Sequence, residues 1–90
     1  MKLLIGTLQI KEAIISSLKS HWLESAIARY CGDEYAADSE MMAGMALLSL
    51  IDELNIGDGS KVQQAEAKEY VERNLEDELW RRGFKVTKAA

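Results

Sequence analysis

Residues 60–83 read SKVQQAEAKEYVERNLEDELWRRG, and this stretch decides the fold. Ala67, Val71, Leu75 and Leu79 recur at every fourth position. Side chains four apart stack on one face of an α-helix, so these residues form a narrow apolar stripe. Glu66, Glu69, Glu72 and Glu76 step round to the opposite side. Glu69 and Arg73 make an i, i+4 pair in the stabilising orientation. Ser60 with Gln63 three residues later has the form of a capping box, in which each side chain satisfies a free amide hydrogen. Arg81 and Arg82 suit the negative end of the helix dipole, and Gly83 suits the position past a helix end. The expectation is a helix over about 61–82. Trp80 falls on its acidic side, away from the stripe.

Before this helix, Asn55-Ile56-Gly57-Asp58-Gly59 reads as a loop. Before the loop, Leu47, Leu48, Leu50, Ile51 and Leu54 make a broad apolar face, which predicts a helix over about 38–54. Asp33, Asp38 and Ser39 all offer N-cap oxygens to it. Met42 and Met45 fall on its other side, so the helix is apolar nearly all round and reads as the central one. Gly44 lies on the broad face, where it costs helix propensity but permits close approach of another helix.

The first helix is expected over about 8–30. Its early half puts Ile10, Ile14, Ile15, Leu18 and Trp22 on one face. Its later half puts Trp22, Leu23, Ala26, Ile27 and Tyr30 on a rotated face. One long helix touching two neighbours accounts for the drift, and a break near Lys19-Ser20 is the alternative. Cys31-Gly32 ends the helix. Phe84-Lys85-Val86-Thr87 alternates and reads as a short extended tail that folds back. The whole is one all-α domain over 1–90, a small bundle of three main helices with a short C-terminal tail.

Composition narrows the function. The net charge is −4, and no lysine or arginine occurs between Arg29 and Lys61. That disfavours nucleic-acid binding, which needs a clustered basic surface. A helix-turn-helix DNA-binding regulator remains the topological alternative, with Arg81, Arg82, Lys85 and Lys88 as its phosphate contacts. Cys31 is the only cysteine, so no internal disulfide forms, and it reads as a small buried hydrophobe at a helix end. The apolar run Met1-Lys2-Leu3-Leu4-Ile5 stops too soon for a signal peptide, and no segment has the length of a membrane span. A cytoplasmic protein is expected.

No catalytic, metal or cofactor site emerges. One histidine and one cysteine cannot build a zinc site. The loop before Ser60 lacks the residue order of a calcium loop and the spacing of a P-loop. His21 projects near Ser17, Glu24 and Ser25, yet a solvated histidine on a helix is the simpler meaning. The chain therefore reads as a non-enzymatic, acidic protein–protein interaction or regulatory module acting as a homodimer. Glu66, Glu69, Glu72, Glu76 and Trp80 are the candidate partner-binding residues, suited to a partner with a basic surface. Met42, Met45, Trp22 and Ile27 are the candidate dimer-interface residues. The alternative is an inhibitor of the kind that phages and mobile elements encode. Its acidic helix would occupy the basic nucleic-acid-binding surface of a host-defence protein.

Overall fold

Three helices follow one another: α1 (Thr7–Tyr30), α2 (Glu34–Glu53) and α3 (Ser60–Arg81). They belong to a computed structural model of the chain that describes residues 7–56 and 58–85. The three-helix bundle and the continuity of the first helix agree with the sequence reading. Val86, Thr87 and Lys88 lie outside the described residues.

All three helices end in the same way. Beyond α1, the Asp33 amide donates to the Ala28 carbonyl and the Gly32 amide to that of Arg29. Beyond α2, the Ile56 amide reaches Ile51 and that of Asn55 reaches Asp52. Beyond α3, the Phe84 amide reaches Leu79 and that of Gly83 reaches Trp80. Gly32, Asn55 and Gly83 each hold a positive φ at the turning position. This is the Schellman pattern, which satisfies helix carbonyls and folds the next residue back. Its apolar contact is present twice, Ile56 sharing a cluster with Ile51 and Phe84 packing with Leu79.

Asp33 has a second task. Its Oδ1 accepts from the Ala36 amide at 3.0 Å, capping α2. The helix therefore begins at Glu34 and not near Asp38, because the first of the three candidate caps is the one used. The start of α3 also differs from expectation. Gly59 is its N-cap, with φ 97° and ψ 172°, a conformation that only glycine adopts readily. The Ser60–Gln63 capping box does not form. With the cap one residue earlier, Gln63 sits a position too far along and joins Ala67 on the buried side. The oxygen expected from Ser60 comes instead from Asp52 of α2, whose Oδ1 accepts from the Ser60 amide at 2.9 Å.

The central helix is α1, not α2. It packs on both neighbours, whereas α2 and α3 meet only sparingly. Its rotated faces serve two clusters. Leu18 and Trp22 join Leu48, Ile51, Ile56 and Ala67. Leu23 and Ile27 join Leu79, with Tyr70, Val71, Leu75 and Phe84 around them. Trp22 and Ile27 are only 7% and 4% exposed, so they are core residues of the single chain and not the exposed apolar surface that their candidate dimer role assumed. Their faces are consumed by α2 and α3 within one chain.

Gly44 is where α1 and α2 come closest. A Cβ there would lie 2.6 Å from both Cε3 and Cζ3 of Trp22. Both atoms belong to a rigid, buried ring that cannot rotate aside cheaply. At an exposed helix site glycine-to-alanine gains up to about 1 kcal/mol of propensity. Here overpacking of about 1–3 kcal/mol should outweigh that gain. Gly44→Ala is therefore expected to lower the thermal midpoint by several degrees, as read by circular dichroism melting.

Candidate functional surface

Docking through the stripe turns the acidic side of α3 outward. Ala67 and Leu79 are buried, and Val71 and Leu75 are half-buried against the core. Glu66, Glu69, Glu72 and Glu76 are all exposed. Glu69 is bonded by Arg73, whereas Glu66, Glu72 and Glu76 make no ion pair among the described residues. Trp80 is 55% exposed on the same side, one turn beyond Glu76. Phe84 does not cover it. The Schellman turn carries Phe84 to the other side, where its ring meets Tyr30 edge-on at 6.1 Å. The Tyr30 hydroxyl then donates to the Lys85 carbonyl at 3.1 Å.

The basic end of α3 is engaged within the chain. Arg82 donates to both carboxylate oxygens of Glu24, one bond measuring 3.0 Å, and so latches α3 to α1. The Arg82 hydrogen bond holds the Glu24 carboxyl below its ordinary range, against a smaller opposing effect of burial. The Arg82 guanidinium is correspondingly pushed up, first by Glu24 and then by Glu78. Arg81 and Arg82 both reach Glu78 at 3.3 Å. Two of the four cations offered for phosphate contact are thus held by carboxylates.

The His21 cluster does not assemble. His21 Nδ1 meets Glu40 Oε2 at 2.6 Å, which ties α1 to α2. Ser25 is buried and donates to the Ala37 carbonyl at 2.8 Å. Glu24 is taken by Arg82, and Ser17 has no bond to His21. Cys31 is exposed, contrary to expectation, because it follows the last turn of α1 where the chain leaves the core. No group of three or more potential metal-ligating side chains occurs among the described residues. No described helix is long and apolar enough to cross a membrane.

One feature was not legible in the sequence. Because α2 and α3 barely meet, an open groove of about 520 Å³ runs between them. Trp22, Ala26 and Tyr30 of α1 form its floor, Met41 lies on the α2 side, and Val71 and Leu75 lie on the α3 side. Arg29, Lys68 and Glu72 edge it. The signal that could have found it is the narrowness of the α3 stripe, whose four modest residues cannot cover α1 and α2 together.

No protein-family model, curated protein or solved structure matches this chain.

The Asp52 carboxyl lies below its ordinary range, first because of the Ser60 side chain and then because of the Ser60 amide. A carboxyl depressed by folding stabilises the fold above its unfolded value of about 4 and loses that contribution as pH falls through the folded value. Glu24 acts with the same sign. Asp52→Asn removes one such group. Its melting temperature should fall less than that of the parent between about pH 5 and pH 2, where these carboxylates protonate, in parallel melts.

Proposed function

We propose that this chain is a non-enzymatic interaction module that acts as a homodimer. Its outer α3 face engages the basic surface of a protein partner. The observation that carries this reading is Trp80, half-exposed on a rigid helix one turn beyond Glu76, on a face where Glu66, Glu72 and Glu76 make no ion pair among the described residues. An indole left in water loses its hydrophobic stabilisation, and tryptophan is enriched among residues that dominate binding energy. The carboxylates supply long-range attraction to a cationic surface and help to fix orientation. The apolar side of the helix is already committed to α1, so the outward side can change contacts without loss of fold. A duplex-binding role is disfavoured because Arg81 and Arg82 are occupied by Glu78 and Glu24.

Reversing Glu69, Glu72 and Glu76 to lysine should abolish retention of the partner from an extract of the source cell. Thermal stability should change by no more than about 1 kcal/mol, since these side chains are exposed. Trp80→Ala should weaken the same complex by about thirtyfold or more. Retention of the same proteins by the triple variant would sink the proposal.

A further inference from the structure

We infer that the α2–α3 groove and the ridge of α2 beside it form one self-complementary surface, on which a second copy of this chain docks. The inference rests on the homodimer reading and names the surface.

The groove fits a helix better than a small ligand. Its floor from Trp22 to Tyr30 spans about 12 Å of helix, two turns at about 1.5 Å per residue. It is open along its outer side, so a small molecule seated there would stay half in water, whereas binding sites for such molecules enclose most of them. A helix brings its own second face and takes the place a fourth helix has in a bundle.

Charge selects which helix. Arg29 and Lys68 at the rim are exposed and make no ion pair among the described residues. They outnumber Glu72, the one carboxylate of the rim among the described residues. The matching helix therefore has an apolar ridge flanked by carboxylates, and α2 is such a helix. Asp38, Met41, Met42 and Met45 stand at i, i+3, i+4 and i+7, one continuous stripe. Met42 is 73% and Met45 54% exposed, and Tyr35, one turn before Asp38, is 85% exposed. Every charged side chain on α2 is a carboxylate.

Met41 belongs to both parts. It lines the groove and is the inner edge of the ridge. Groove and ridge are therefore adjacent, which a twofold interface requires, because each copy must offer both. Two α2 helices then cross near Met41 and Met45, each ridge lying in the other copy's groove. Asp38 of each copy meets Lys68 of the other. Methionine suits such a contact because its flexible thioether adapts to an irregular trough. Glu66, Glu69, Glu76 and Trp80 stay outside this interface, so the dimer presents two acidic faces and gains avidity for a partner with repeated basic sites.

Sedimentation equilibrium of the full chain tests this. The parent should be dimeric, with a dissociation constant in the range of about 1–10 μM. Met45→Glu should be monomeric with an unchanged helical spectrum, and should melt with the parent where both are diluted well below the parent's dissociation constant, since Met45 is exposed. Lys68→Glu and Asp38→Lys should each weaken the dimer about fivefold to tenfold. The double variant Asp38→Lys/Lys68→Glu should recover most of that loss. A parent that is monomeric at about 100 μM overturns the inference. So does a dimer that survives Met45→Glu, or a double variant no better than its two parents. Trp80→Ala separates the two readings: where the dimer tests fail, loss of partner binding in this variant leaves the acidic-face reading standing and confines the failure to this inference. Unchanged partner binding in that variant would do the reverse.

Discussion

The contact between Gly44 and the Trp22 ring is the constraint on which the rest depends. A missing Cβ lets α2 approach an indole within a distance that any other residue would forbid. The short turn at Cys31–Asp33 forces α1 and α2 to lie side by side, and the glycine sets how close they come. With Trp22 held there, one face of α1 is given to α2. The rotated face carrying Leu23 and Ile27 is left for α3. This division makes α1 the hub and keeps α2 and α3 apart. The groove is a direct consequence, and Trp22 is part of its floor.

Local chemistry at the helix ends then decides what the surface shows. The same hydrogen-bond pattern closes each helix and returns the chain towards the core. After α2 it delivers Ile56 into the main cluster, where it is 2% exposed. After α3 it delivers Phe84 to Tyr30 and so away from Trp80. Arg82, one residue earlier, is drawn to Glu24 and fastens the same end. A terminal turn thus exposes a tryptophan and neutralises a cation that could otherwise have served a nucleic acid.

The surface is divided by charge as well as by polarity. The outer side of α3 carries an exposed indole and carboxylates of which Glu66, Glu72 and Glu76 make no ion pair among the described residues. The groove carries unpaired cations around apolar residues, and the adjacent side of α2 carries carboxylates around methionines. Neither of the last two patches gains from burial within a single chain of this size, since a small domain has too little interior to absorb them. In the proposed dimer a second copy would satisfy both at once and leave the α3 face free.

The existence of three helices and their approximate limits were legible in the sequence, because apolar spacing reports a helix wherever one side must be buried. The outward acidic side of α3 was legible for the same reason. The close-approach role of Gly44 was legible because a glycine on an apolar face has few other uses. Other features needed the tertiary structure. Trp22 and Ile27 looked like spare apolar surface until their neighbours were placed. Ser25 projects near His21 along the helix, yet its hydroxyl is buried under α2 and bonded to Ala37. The cap of α3 came from Asp52, eight residues away, which no local motif announces. Helical periodicity says which side of a helix is apolar, not which helix covers it or how completely. The central position of α1, the groove and the exposure of Trp80 follow from how three helices share that surface, and this is decided only when they pack.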